Sequence, residues 1–259
     1  MRRERNEDKM KVLIIGGVAA GTKTAAKLKR EDRSVEVTVI TKSRAIPYAG
    51  CGLPYYVGGA IEEESQLIVN TPAKFAALTG VNVMTGKEAV AVNAEEKSVK
   101  VKDVATGAEE TLTYDKLVIS TGASPAVPPV KGMELPGVFT MRTPEDAVSV
   151  RAYVDANGIK KAVVVGAGFI GLEVAENLKQ KGVTVTVIDF ASQVLPNILD
   201  PELAAYVKKH LLKQGIRVIT GTKAEEITGA DQVTGVKTTA GTLNCGLVIM
   251  AAGIRPNTA

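Results

Sequence analysis

The chain has 259 residues, 45% hydrophobic and 23% charged, enough to bury one large or two medium cores, and the length slightly favours two. A formal charge of +4, spread over 32 basic and 28 acidic side chains with no aromatic-interleaved basic stripe, argues against nucleic acid as a partner. Cys51 and Cys245 lie too far apart for a C-x-x-C motif or a disulfide framework, and a single histidine, His210, leaves zinc without a ligand set, so no metal site is expected.

In chain order, MRRERNEDKM is a charged tail, and the apolar run after it is too short for a signal sequence or a membrane span. No membrane association and a cytoplasmic location are the corresponding expectations. A β-branched run, Val12 to Ile15, then enters clustered glycines and an Ala-rich stretch with helical apolar spacing, IIGGVAAGTKTAAKLKR from Ile14. VEVTVI at 35–40 follows as a second strand, completing a βαβ unit. PYAGCGLPYY at 47–56 places Cys51 on a glycine-rich turn. Next come VNVMTG, EAVAVN, KSVKVKDV and EETLTY, whose alternation and polar turns predict an antiparallel meander, and DKLVISTGASP, a buried strand ending in a turn at Thr121 and Gly122. The proline-rich segment at 124–137 suits a connection that cannot continue a sheet.

The whole order then recurs. VVGAGFIGLEVAENLKQ from Val164 repeats the strand, turn and helix, VTVTVID at 183–189 repeats the second strand, and KAEEITGADQVTGVKTT with LVIMAAGIRPN repeats the meander and terminal strand. The expected class is therefore α/β, with two Rossmann-like units, each a parallel sheet with an inserted antiparallel β-meander. Gly166, Gly168 and Gly171 fit G-x-G-x-x-G where strand meets helix: a tight turn, close approach of backbone N–H groups to a pyrophosphate, and packing of helix on strand. Asp189 ends the second strand, where a carboxylate accepts from both ribose hydroxyls, and no arginine follows in FASQVLPN, which favours NAD over NADP. The first copy is less regular. Gly16, Gly17 and Gly21 supply the turn and the packing glycine, Val18 takes the middle position, and Thr41 stands where the acid is expected, offering a weaker hydrogen bond to a ribose.

Two such units, closing on STGASP and AAGIRPN, resemble the FAD- and NAD-dependent pyridine nucleotide-disulfide oxidoreductases over the whole chain from Met10. PYAGCGLPYYVGG is similar to the single-cysteine branch of coenzyme A disulfide reductases, polysulfide or persulfide reductases, and NADH oxidases and peroxidases. The resemblance implies an FAD-binding domain over 10–126, a linker over 127–143 and an NAD-binding domain over 144–259, after a flexible tail over 1–9. It implies FAD and NADH as cofactors and Cys51 as the redox thiol, flanked by small Gly50 and Gly52 so that a disulfide and a flavin can approach, with a nearby helix start or flavin-site charge lowering its pKa. NADH passes hydride to FAD, FAD passes two electrons to Cys51, and Cys51 exchanges with a small-molecule disulfide or polysulfide through a mixed disulfide. The candidate cofactor contacts are Gly16, Gly17, Val18, Ala19, Gly21, Thr41, Lys42, Ala89, Thr121 and Gly122 in the first unit. In the second they are Gly166, Gly168, Phe169, Ile170, Gly171, Glu173, Asp189 and Gly253, with Phe169 as a flavin cover or an apolar core contact and Glu173 as a nicotinamide partner or a carboxylate placed for the helix dipole.

Ala19 stands where the oxidases and peroxidases of this branch commonly carry a histidine, which favours a reductase. Lys23, Lys27 and Arg30 share a helix face that could meet coenzyme A phosphates or simply face solvent, whereas Pro47 and Gly50 replace the Ser and Asn usual in coenzyme A reductases. Cys245 reads as a small buried residue. Relatives continue beyond AAGIRPNTA, so the resemblance implies that the Gly-Asp flavin motif and a dimerisation domain are absent here. A full-length homodimer and weak FAD retention by the 259-residue chain are the resulting expectations. The alternatives are an NADH oxidase or peroxidase of the same branch, a non-catalytic nucleotide-binding redox sensor, and a thiol-free electron transferase of the ferredoxin-reductase type.

Overall fold

The computed structural model describes residues 9–258; of the tail expected over 1–9, all but Lys9 lies outside them. In chain order the elements begin β1 (Lys11–Ile15), α1 (Ala19–Glu31) and β2 (Glu36–Thr41). A 3₁₀ turn, Gly50–Gly52, then leads into α2 (Leu53–Gly58), followed by α3 (Pro72–Thr79), β3 (Asn82–Thr85), β4 (Lys87–Asn93), β5 (Ser98–Asp103), β6 (Glu109–Thr113) and β7 (Lys116–Ile119). After β8 (Ala123–Pro125) and β9 (Val138–Phe139) come α4 (Pro144–Ala156), β10 (Lys161–Val165), α5 (Phe169–Gln180), β11 (Thr184–Ile188) and α6 (Pro201–Lys213). The chain closes with β12 (Arg217–Ile219), β13 (Ala224–Thr228), β14 (Gly235–Thr238), β15 (Gly241–Asn244), β16 (Leu247–Met250) and β17 (Ile254–Pro256).

These elements form two compact units. The first comprises the described residues of Met1–Ala49, Ile68–Gly122 and Asn257–Ala259; the second comprises Gly50–Leu67 and Ala123–Pro256. In the first, a parallel sheet has the order β3-β2-β1-β7, with Ile15 opposite Ile40 and Ile119. Successive residues of β1 serve opposite layers. Val12 and Ile14 pack with Ala25 of α1 and Phe75 of α3, while Leu13 and Ile15 pack with Val99 and Val101 of the β4-β5-β6 meander. Burial on both faces is why this strand is a continuous apolar run rather than an alternating one.

The second unit repeats the plan. Its parallel sheet has the order β12-β11-β10-β16-β9, and Val165 lies opposite Ile188 and Met250. Ala162 and Val164 face a core shared with Val174 and Leu178 of α5, whereas Val163 faces Ile227 and Val236 of the β13-β14-β15 meander. The segment carrying Cys51 belongs to this unit: Leu53, Val57 and Leu67 are buried in the same core as α4 and α5.

Two sequence expectations are corrected. VNVMTG is not a meander strand: as β3 it pairs in parallel with β2, Val39 opposite Val83. It follows α3, which ends on Gly80 in the left-handed region, so it closes a second crossover, and its half-buried alternation imitated a meander strand. The proline-rich connection also enters a sheet, since β8 pairs antiparallel with β17, Pro125 opposite Ile254. A two-stranded ladder is all edge, and there proline's missing donor is tolerated.

α4 starts from a complete capping box. Thr143 Oγ1 accepts from the Asp146 N–H at 3.3 Å, and Asp146 Oδ2 accepts from the Thr143 N–H at 3.0 Å. Thr143→Ala is expected to lower the unfolding free energy by about 1 kcal/mol. Urea denaturation should show this as a lower midpoint with an unchanged slope.

Candidate functional site

Each unit gathers its glycine turn, its strand-end candidate and its terminal turn at the carboxyl edge of its parallel sheet, and the same backbone device does so in both. Gly16 N–H donates to Ile40 O at 2.9 Å, and Gly166 N–H donates to Ile188 O at 2.8 Å. Both glycines have positive φ, +117° and +114°, and a Cβ on either would collide with the carbonyl leaving the neighbouring strand, Ser120 or Ala251. A Cβ on Gly21 or Gly171 would in turn collide with the Gly16 or Gly166 carbonyl, so each helix sits directly on its turn. Neither helix start has a side-chain cap: Val18 and Gly168 occupy the cap positions of α1 and α5 without capping bonds. The first-turn N–H groups therefore remain as donors for an anionic ligand. At Gly168 a Cβ would meet nothing within 4 Å, so the space above the second turn is open.

In the first unit Gly17 is buried, and a Cβ there would press on Thr41 and Ile46, so the buried Thr41 lies against the turn. Val18 is half-buried and Ala19 exposed at the first helical position. Lys42 is exposed and paired with Glu88 at 2.9 Å. Thr121 and Gly122 follow β7 and are tied to Asn257: Thr121 Oγ1 donates to the Asn257 carbonyl, and Asn257 N–H donates to Gly122 O at 2.9 Å. Ala89 lies in β4 at an irregular register and packs with the meander core. Of the proposed coenzyme A face, Lys27 is engaged by Glu31 one turn on.

In the second unit Asp189 is buried, and both its oxygens are held. Ala167 N–H, inside the glycine turn, donates to Oδ2 at 2.6 Å, and Ala191 N–H donates to Oδ1 at 2.8 Å. Each carboxylate oxygen keeps a lone pair for a further donor. Phe169 and Ile170 are exposed on the first turn of α5, Glu173 is half-buried one turn later, and Gly253 follows β16 with φ +110°. The 166–171, 189 and 251–253 segments thus meet at one sheet edge.

Cys51 is exposed, on the 3₁₀ turn between Gly50 and Gly52. A Cβ on Gly50 would meet nothing within 4 Å, so the space beside the thiol is open. Cys245 is the opposite case, buried beneath the second meander, and desolvation pushes its thiol up to about 11. The described residues contain no group of three or more His, Cys, Asp and Glu able to hold a metal ion, and no described helix is long and apolar enough to cross a membrane. Sequence reasoning missed Arg151 and Asn177, which hold the Cys51 segment, because their partners are the backbone of a distant segment and leave no motif.

Twin glycine turns on parallel sheets, each with an uncapped helix above it, define a two-unit dinucleotide-binding α/β protein. The chain belongs to the pyridine nucleotide-disulphide oxidoreductase family, which matches residues 10–259, and membership implies FAD and a pyridine nucleotide as cofactors. It is 40% identical over 248 residues to a protein of Methanocaldococcus jannaschii named NADH oxidase, covering 96% of this chain and 55% of that protein. Among solved structures, the NAD-dependent persulfide reductase from A. fulgidus superposes with a TM-score of 0.91 at 40% identity, covering 96% of this chain and 47% of that one. The reduced Bacillus anthracis CoADR-RHD superposes with a TM-score of 0.93 at 33% identity, covering 97% and 45%. The chain spans about half the length of these relatives.

The two thiols should separate sharply in reactivity. A thiol raised to about 11 is protonated and unreactive well below that pH. Iodoacetamide at pH 8 is expected to label Cys51 alone, with Cys245 following only in denaturant; intact-mass analysis reads the count, and two labels on the folded chain would contradict the placement.

Proposed function

We propose that the chain is the dinucleotide-binding and thiol-bearing part of an NADH-dependent flavoprotein reductase acting on a disulfide, persulfide or polysulfide, coenzyme A disulfide included. The observation that carries this reading is Cys51: an exposed thiol with open space beside it, on a turn packed into the same unit as the Asp189 nucleotide edge. The names of the relatives, a persulfide reductase and an NADH oxidase, support the same chemistry.

The residues fit the two cofactors. The second unit would hold NADH, with the open step at Gly168 and the free N–H groups of α5 taking the pyrophosphate. Asp189 takes the ribose hydroxyls and disfavours a 2′-phosphate, since FASQVLPN supplies no cation beside it. Phe169 and Glu173, on the first two turns of α5, would serve the nicotinamide end. The first unit would hold FAD through the Gly16–Gly21 turn, Thr41 and the Thr121–Gly122 edge, with Val18 in place of a middle glycine. When bound, the two cofactors supply the two electrons of the reduction.

Cys51 performs the sulfur chemistry. Its Sγ, as thiolate, attacks one sulfur of the substrate; the substrate S–S bond breaks, a Cys51–substrate disulfide forms and the other sulfur leaves as a thiolate. Two-electron cleavage of that mixed disulfide releases the second thiolate and restores Cys51. Thiolate leaving groups need little protonation, so the scheme demands no general acid, in keeping with the chain's one histidine. A second reading, an NADH oxidase with oxygen as acceptor, is favoured by the name of the 40% identical relative.

Two measurements test these roles. Replacing Cys51 with Ser in the full-length parent should abolish NADH-dependent reduction of polysulfide and coenzyme A disulfide; retained reduction overturns the thiol reading, and retained oxygen uptake alone selects the oxidase. Asp189→Ala should weaken NADH binding roughly tenfold or more, the loss of charge-assisted hydrogen bonds, and narrow the NADH-to-NADPH preference. Calorimetric titration with both nucleotides reads this, and an unchanged ratio removes Asp189 as the selector.

A further inference from the structure

The Cys51 turn is held by a residue that the scheme above does not use. α2, which follows the turn directly, has six residues and no side-chain cap at its start, too short to persist unaided. Its placement must therefore come from what it docks against. Leu53 and Val57 enter the core beside α4 and α5. Gly58 meets Asn177 of α5 so closely that a Cβ would stand 2.6 Å from Asn177 Oδ1. The third contact is Arg151 of α4. Its Nη1 reaches three carbonyls of the segment with its two hydrogens, one of them shared: Tyr56 at 3.3 Å, Ile61 at 3.1 Å and Glu62 at 2.9 Å. The guanidinium also lies over the Tyr56 ring, 4.6 Å from its centroid.

We propose that Arg151 is the positioning residue of Cys51: its guanidinium gathers the carbonyls at the end of α2 and of the loop beyond, fixing the rotation and height of α2 and so of the thiol turn joined to its start. The chemistry suits the task. One planar cation satisfies three backbone acceptors that no other described donor shares except at Tyr56, whose carbonyl also takes the Gly59 N–H at 3.2 Å. A cation at the end of α2 also opposes the partial negative charge of its last carbonyls. Because Arg151 sits on the helix preceding the NADH-type βαβ motif, the thiol turn is registered to that unit. This role rests on Cys51 being the redox thiol, but its test does not.

Arg151→Ala and Arg151→Lys variants of the chain are compared with the parent by hydrogen exchange of residues 50–67 and by the rate of Cys51 alkylation at fixed pH, with Cys245 as an internal marker of global opening. For Arg151→Ala, exchange across 50–67 should rise about tenfold or more, the loss of charge-assisted hydrogen bonds to the segment. Its Cys51 alkylation rate should change by more than about twofold while Cys245 stays unlabelled, and Arg151→Lys should recover a substantial part of both. Exchange and alkylation within about twofold of the parent in Arg151→Ala would overturn the proposal. So would labelling of Cys245 in the folded-state assay of either variant, which would make Arg151 a residue of general stability. Neither readout involves turnover, so a parent enzyme that tolerated Cys51→Ser would lose the redox reading and leave this clamp standing.

Discussion

The structure depends on one backbone approach made twice. The first glycine of each turn lies so close to the carbonyl leaving the adjacent strand that no side chain fits, and its positive φ sends the chain straight into the helix. That approach sets the helix start over the carboxyl edge of the sheet, where the uncapped N–H groups lie above the space at the turn. It also fixes which other segments arrive there. With β1 paired in register to β2 and β7, the residues after Ile15, Ile40 and Ile119 come to one edge; the residues after Val165, Ile188 and Met250 do the same in the second unit. An uncapped helix start and a strand-end side chain beside it follow from sheet register once the glycine is in place.

The two copies then differ in what braces the turn. In the second, Asp189 reaches back to the Ala167 N–H within the glycine turn and to Ala191 ahead of it, so one carboxylate ties strand end, turn and following loop together. The Asp189 side chain is thus already oriented before any ligand arrives, an arrangement that lowers the ordering cost of binding. In the first copy Thr41 contributes by packing: it fills the side of the turn that Gly17 leaves open, and Ile46 closes over it. One position braces by charge and the other by shape.

Most of this was legible in the sequence because it is local. Glycine spacing, the change from β-branched runs to Ala-rich helical periodicity, and the acid at the end of VTVTVID all report on short stretches of backbone, and repetition at the same spacing removed the ambiguity of each copy alone. β3 was misassigned because a strand with one half-exposed face reads alike in a parallel edge and in a meander, and the pairing partner that distinguishes them, β2, is remote in sequence. The grouping of Gly50–Leu67 with the second unit was not legible at all. It is set by Leu53, Val57 and Leu67 finding the α4–α5 core and by Arg151 finding carbonyls some 90 positions earlier, and neither leaves a spacing to detect.

That grouping changes how the thiol should be regarded. Cys51 and Cys245 are both attached to the second unit, yet the chain treats them oppositely. Cys245 is a small apolar filler whose burial suppresses its ionisation, so it stays inert without any specific device. Cys51 is exposed on a turn with glycine on both sides, open at Gly50 and buried at Gly52, where the chain enters α2. Precision in the thiol's position must then be imported from the next element, and α2 obtains it from three directions: apolar burial, a glycine pressed on Asn177, and the Arg151 guanidinium. A thiol exposed on a turn and anchored one helix away combines access with fixed placement, and fixed placement is what the proposed sulfur exchange would require.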